Sequence, residues 1–381
     1  MNSHLESPAG NLLSGIPASD VLNSLADGVY ITDVDRKIVF WNQAAERMTG
    51  WRAADVVGRN CADNILVHMD KDGHALCGQE FCPLHRSIVT GQPSADSVLV
   101  LAQCKSQLRM PVEVSVSPIR NGAGQVIGGI EVFRDLREFM HDLLRAKGIQ
   151  ELSMNNPLPK DPRVEFEVRY QARELVGGDF YRIERQGADR YALLVADAMG
   201  HGVAAALYTM QLRTLWDDHR EELQSPARFL SLLSHRLHTL VRDAGYFATA
   251  ACATFDAATG ALRCVRAGHP APLLSRCDGS SEAVGQSQPA LGMVPNHIYT
   301  ESAVSLAPGD AFLMFTDGAI ELFDSQEREM GIAGLEQILR KLDHNEVNSF
   351  HLVNVEEELL RFTDEIHLPD DLTLLKLWRR S

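Results

Sequence analysis

Five short segments in the second half of the chain carry its candidate chemistry: Val176-Gly177-Gly178-Asp179-Phe180-Tyr181, Val195-Ala196-Asp197-Ala198-Met199-Gly200-His201-Gly202, Ala267-Gly268-His269-Pro270, Phe315-Thr316-Asp317-Gly318 and Pro369-Asp370-Asp371-Leu372-Thr373. Four of them can bring carboxylates to one place. Carboxylates crowded together without counter-charge repel one another or take up protons, so such a cluster makes physical sense when hard divalent cations neutralise it. Mg2+ and Mn2+ take oxygen ligands in octahedral geometry and keep several waters, so a few carboxylates and carbonyls suffice and no His or Cys is needed. Metal-assisted chemistry is the expectation.

The elements that must hold these segments alternate around them. Residues 164–171, 179–184 and 191–196 read as strands, and Leu207, Met210, Leu212 and Leu215 mark 203–217 as a helix. Ser225 and Pro226 supply an N-cap and a first helical residue for a second helix running to about 242. Further strands are expected over 247–255, 261–267, 311–316 and 372–377. Gly177, Gly178, Gly200 and Gly202 let the backbone turn and approach ions or phosphate with no Cβ in the way. Strands carrying two adjacent long helices suit an antiparallel sheet packed beneath helices.

In order and spacing the five segments resemble the PPM (PP2C-type) serine/threonine phosphatases, in the bacterial branch of sporulation and stress-response partner switching, over about residues 164–378. Ala198 stands where many relatives have Gly, and His201 where many have Lys. The resemblance implies an α-β-β-α sandwich and two Mn2+ or Mg2+ ions held by Asp179, Asp197, the carbonyl of Ala198, Asp317 and Asp370. Asp179 and Asp197 are the expected catalytic centre, and Asp371 stands outside the ligand set. The implied reaction is hydrolysis of phosphoserine or phosphothreonine by water without a phosphoenzyme. The implied substrate is a phosphorylated anti-sigma-factor antagonist. His201 and His269 are expected to be structural.

In the first half, residues 25–33 and 38–42 read as a hairpin about Asp35-Arg36, followed by a helix over 43–49 and late strands over 111–119 and 126–133. Together with Gly50-Trp51 and Val57-Gly58-Arg59, this resembles a PAS sensor domain. The expected class is α+β: a PAS domain over 18–134 (antiparallel sheet with helices), a helical linker and extended connection over 135–162, and a PPM phosphatase sandwich over 163–381. Leu136, Phe139, Met140, Leu143 and Leu144 recur at helical spacing in the linker, Gly148 interrupts it, and Pro157, Pro159 and Pro162 mark the extended part. That stripe suggests a homodimer through the PAS domain and linker helix.

Seven cysteines in a chain without export signals suggest reduced thiols. Cys61, Cys77, Cys82 and His85, with His68 and His74 nearby, have the chemistry to hold zinc or iron, although their spacing fits no strict zinc module. A PAS-bound metal or ligand and plain reduced thiols are both open readings. Gly58-Arg59-Asn60-Cys61 resembles the opening of the flavin photoreceptor motif, but Ala62-Asp63-Asn64 and Glu113 depart from it.

A formal charge of −15 argues against nucleic-acid binding, which rests on Lys and Arg. No apolar run spans a bilayer, the N-terminus does not read as a signal peptide, and a cytoplasmic protein is the default. Two other functions compete with the phosphatase: a catalytically weak phosphoprotein-binding regulator, and a diguanylate cyclase suggested by Gly177-Gly178-Asp179-Phe180. The four aspartates argue against the first, and Phe180-Tyr181 stand where the cyclase signature has Glu-Phe. His141 has no nucleotide-binding glycine boxes downstream, which argues against a histidine kinase.

Overall fold

The computed structural model describes residues 15–70, 73–77, 81–95, 97–240, 245–343, 350–364 and 368–380. The chain divides into two compact units, Met1–Asp142 and Leu143–Ser381. Among the described residues no helix is long and apolar enough to cross a membrane.

In the first unit five antiparallel strands lie in the order Ile38–Trp41, Gly28–Asp33, Val126–Asp135, Arg109–Arg120, Val98–Gln103. The hairpin about Asp35-Arg36 forms because Asp33 Oδ1 accepts from the N–H groups of Asp35 and Lys37. Asn42 caps helix Gln43–Thr49 by accepting from Ala45 N–H at 2.8 Å, and Gly50 ends it in the left-handed region. Val112, Val114, Tyr30 and Phe133 alternate toward a core shared with Ile65, Leu84 and Ile88. Strand Val98–Gln103 and helix Pro83–Thr90 lie outside the sequence expectation. That strand is at the sheet edge with Val98 and Leu99 exposed, so its apolar run shows no alternation.

Helix Arg137–Met154 runs through Gly148 without a break, against the expected interruption. A single helical Gly costs only about 1 kcal/mol relative to Ala. Burial of Gln150 and Met154 in its last turns offsets that cost.

The second unit stacks two antiparallel-rich sheets between two helix layers. One sheet runs Ser287–Gln288, Ala261–Ala267, Ala248–Asp256, Arg190–Ala198, Asp179–Gln186; the other runs Ser281–Ala283, Leu273–Ser275, Ala311–Phe315, Leu372–Arg379, Val164–Gln171. The central strands Arg190–Ala198, Ala248–Asp256, Ala311–Phe315 and Leu372–Arg379 are buried on both faces, and alternation sorts their side chains. Leu193 and Val195 meet Phe312, Met314, Leu375 and Leu377 between the sheets. Ala192, Leu194 and Ala196 point the other way, under Leu212, Trp216 and Phe229 of helices Val203–Asp218 and Pro226–Leu240. On the far side, Leu313, Phe315, Leu372 and Leu374 pack beneath helices Gly331–Asp343 and Leu352–Thr363. This is the expected α-β-β-α sandwich. The expected end of the second helix at about 242 lies outside the described residues.

Candidate active site

The aspartate segments sit where strands of both sheets end. Asp179 opens its strand directly opposite Asp197. In the other sheet the ladder ends at Phe315 and Leu374, Thr316 N–H reaches Thr373 O at 3.1 Å, and Asp317 and Asp370 lie just beyond. The sheets are tied here: Asp179 Oδ2 accepts from Thr316 Oγ1 at 2.9 Å and Thr373 Oγ1 at 2.6 Å. Asp371 is occupied with backbone, accepting from Arg173 N–H at 2.7 Å and Gly178 N–H at 2.5 Å. Two glycines are required by close approach. A Cβ on Gly318 would lie 2.0 Å from Asp371 O, and one on Gly178 would lie 3.0 Å from Ala198 O.

A cleft of about 280 Å³ opens over this floor, lined by Arg173, Asp197, Met199, His201, Thr249, Asp317 and Asp370 among others. Asp179 is fully buried beneath it. Burial, then the charges of Asp317 and Asp370, push Asp197 up to about 8; burial and Glu321 push Asp317 up to about 6. Asp179 is also raised, by burial and by Asp197, against the two threonine hydroxyls that favour its anion. Such a set cannot be fully ionised without cations, and its donors are all hard oxygens, which fits Mg2+ or Mn2+. Among the described residues no three His, Cys, Asp or Glu side chains close around a single point.

Ala198 is buried, its N–H bonded to Gly178 O at 3.0 Å, so its backbone lies beside the aspartate pair. His201 is exposed and pairs with Glu174 at 2.9 Å. His269 is buried with Nδ1 2.7 Å from Thr249 Oγ1, and burial drives its pKa to about 3, leaving a neutral ring. Gly177-Gly178-Asp179-Phe180 is a loop entering a strand in the sandwich.

Three features escaped the sequence reading. The first is Arg173, which lines the cleft together with Asp197, Asp317 and Asp370. The second is the pair Thr316 and Thr373, inside motifs chosen for their aspartates. The third is Gln150, in the last turns of helix Arg137–Met154: it donates to Gly177 O at 2.7 Å and accepts from Gly177 N–H at 3.1 Å, two residues before Asp179. Arg182 and Arg213 both donate to Ser153 O, fixing the end of that helix to the sandwich.

In the first unit, Cys61 and Cys82 are buried and Cys77 is half-buried, accepting from His68 N–H at 3.0 Å. Burial pushes the thiols of Cys61 and Cys77 up to about 12, and His85 stands partly exposed on the neighbouring helix. Cys61 and Cys82 belong to the hydrophobic core of this unit, where reduced thiols pack as small apolar side chains.

A two-sheet sandwich with helices outside and aspartates at the strand ends defines a PP2C-type phosphatase domain, preceded by a PAS domain. Residues 187–380 match the family model Stage II sporulation protein E (SpoIIE), and residues 26–138 match that of the PAS domain. The chain belongs to the SpoIIE family. It is 30% identical over 215 residues to the phosphoserine phosphatase RsbP of Bacillus subtilis, covering 53% of each chain. It is 22% identical over 265 residues to protein IcfG of Synechocystis, covering 62% of this chain and 41% of that one. The chain thus spans about half the length of these curated relatives or less. Among solved structures, the SiaA PP2C domain of Pseudomonas aeruginosa has a TM-score of 0.55 at 25% identity, covering 64% of this chain and 98% of that one. A Bacillus subtilis SpoIIE fragment with its PP2C phosphatase domain shares the fold at TM-score 0.50 and 16% identity, covering 75% and 80%.

Proposed function

We propose that the protein is a phosphoserine/phosphothreonine protein phosphatase dependent on two Mn2+ or Mg2+ ions and regulated by its PAS domain. The observation that carries this reading is the convergence of Asp179, Asp197, Asp317 and Asp370 from both sheets at one cleft. Asp179 and Asp197, with the Ala198 carbonyl, would hold the ions on one side, and Asp317 and Asp370 on the other. When bound, the ions acidify water and offset charge on the phosphoryl oxygens. Thr316 and Thr373 hold the Asp179 carboxylate in place. Arg173 brings the cleft a fixed positive charge able to bind two phosphoryl oxygens at once. Asp371 keeps the Arg173 and Gly178 backbone against the floor.

The substrate we infer is a phosphorylated anti-sigma-factor antagonist, by analogy with the partner-switching branch, and the setting cytoplasmic. The functional division is a sensor over 18–134, a connection over 135–162 and a catalytic domain over 163–381. We further infer a homodimer through the PAS domain and linker helix; exposure of Phe139 and Leu144 on that helix supports it. Phosphate release from a folded phosphoserine protein of the antagonist class, with and without Mn2+, tests the central reading. Metal-dependent release is expected. Tight phosphoprotein binding without release would favour the binding regulator, and release that survives exhaustive chelation would overturn the metal assignment.

A further inference from the structure

We propose that the outward side of helix Val203–Asp218, continued by Met293, is the docking platform for the folded phosphoprotein substrate; this rests on the phosphatase reading above. The first eight residues of that helix, Val-Ala-Ala-Ala-Leu-Tyr-Thr-Met, contain no charged side chain. Its inward side is satisfied by Ala205, Tyr208 and Leu212 in the core. Yet Val203 and Ala204 are exposed and Leu207 is 64% exposed. A helix on a globular surface ordinarily turns polar or charged residues to solvent. Over these first two turns both sides are apolar; farther along, Gln211, Thr214 and Asp218 face solvent.

The apolar surface extends beyond the helix in two directions. Tyr246 stacks on Tyr208 with ring centroids 6.5 Å apart. Gly292 faces the Tyr208 hydroxyl, within 3.7 Å of where a Cβ would stand, and leads to Met293, which is 53% exposed. Toward the site, Met199 lines the cleft next to Asp197 and is itself partly exposed. An exposed apolar patch of this kind marks an interaction surface.

Continuity with the cleft decides the occupant. A phosphoserine on a folded protein can reach Asp197, Asp317 and Asp370 only if the surface around it lies on the rim, and Met199, Val203 and Leu207 lead outward from that rim. In a chain of net charge −15, with a carboxylate-rich cleft, apolar contact supplies affinity without adding like-charge repulsion. The partner is therefore a phosphoprotein whose phosphoserine is flanked by exposed apolar side chains.

The test compares two probes in the full chain with Mn2+: p-nitrophenyl phosphate and a folded phosphoserine protein of the anti-sigma-factor-antagonist class. Leu207→Glu and Met293→Glu should each lower kcat/KM for the phosphoprotein by about thirtyfold through KM, and leave p-nitrophenyl phosphate hydrolysis unchanged. Leu207→Ser, a milder change at an exposed position, should give a smaller loss of the same pattern. Unchanged kcat/KM for the phosphoprotein, or equal losses on both probes, would overturn the platform. A shift in sedimentation coefficient in these variants would also overturn it, by assigning the face to contact between copies of this chain. If the wild type hydrolyses neither probe, the phosphatase reading itself fails and the platform falls with it.

Discussion

Thr373 Oγ1 donates to Asp179 Oδ2 at 2.6 Å across the gap between the two sheets. The carboxylate set is therefore complete only when the sheets are packed, and the hydroxyl fixes which way Asp179 faces. Groups that orient a ligand carboxylate typically affect metal affinity by roughly 10–100-fold. Thr373→Val should raise the Mn2+ concentration for half-maximal phosphate release by at least about tenfold, whereas Thr373→Ser should behave as wild type. A metal titration that superimposes for all three proteins would refute this role.

Asp197→Asn should be inactive yet more stable than wild type in chelator. Burial and its acidic neighbours raise Asp197 to about 8 in the folded state, above the ordinary carboxylate value. Its folded state thus holds the proton more tightly than the unfolded chain does, and without cations stability is lost as pH rises toward 8. The amide carries no such loss. At pH 8 with chelator the variant should melt several degrees higher, on the order of 1–3 kcal/mol. Asp370→Asn, at an exposed position, should be inactive and, by removing one of the charges that crowd Asp197 and Asp317, should melt higher in chelator by a smaller margin. Mn2+ should reverse the order by stabilising only the wild type, and a variant that melts lower in chelator would contradict the crowding argument.

Arg173→Ala should raise KM for the phosphoprotein about tenfold or more, because a hydrogen bond from a charged donor contributes roughly 1.5–3 kcal/mol. The bond from Arg173 N–H to Asp371 belongs to the backbone and survives the substitution. Arg173→Lys should recover only part of the loss, since an ammonium lacks the planar fork. Steady-state kinetics with KM unchanged in both variants would remove Arg173 from the phosphoryl site.

Gln150→Leu keeps bulk but leaves Gly177 N–H and C=O without their side-chain partner. Leaving buried groups unpaired costs about 1–3 kcal/mol. A lower urea midpoint is expected, together with reduced phosphate release, because Gly177 stands two residues before Asp179. Full activity alongside the lower midpoint would show that the helix end stabilises the sandwich without positioning the site.

Glu131 makes the PAS domain sensitive to alkaline pH. Its carboxyl is buried against Tyr30, with His68 3.5 Å away, too far for a firm bond, and with Cys61, Cys77, Cys82 and Arg36 in electrostatic reach. Burial raises it to about 8, while burial lowers His68 to about 4, so both are neutral near pH 7. The Glu131 contribution is full below the ordinary glutamate value and fades as pH rises through about 8; the His68 contribution is full above the ordinary histidine value and fades as pH falls through about 4. With Mn2+ present to hold the aspartate cluster ionised, Glu131→Gln should remove the Glu131 share of the alkaline loss, worth a few kcal/mol, in thermal melts of the full chain followed by tryptophan fluorescence. An unchanged alkaline slope would assign that loss elsewhere.

The candidate metal-binding aspartates could be picked out without a structure because their sequence signal is local: an aspartate at the end of an apolar strand, with glycine beside it, announces itself within six residues. The same holds for the hairpin at Asp35-Arg36 and for alternating strands such as Arg190–Ala198, whose pattern is set by the two faces of a sheet. Gly148 misled the reading, since local propensity marks a weak point and the burial of Gln150 and Met154 overrides it. What only the tertiary structure decided is pairing at long range. Thr316 and Thr373 reach Asp179 across 137 and 194 residues of chain, and Gln150 reaches Gly177 from another element altogether. No periodicity encodes such meetings. They follow from how two twisted sheets stack and which loop ends that stacking brings together, and so does the exposure of Val203, Ala204 and Leu207 at the start of helix Val203–Asp218.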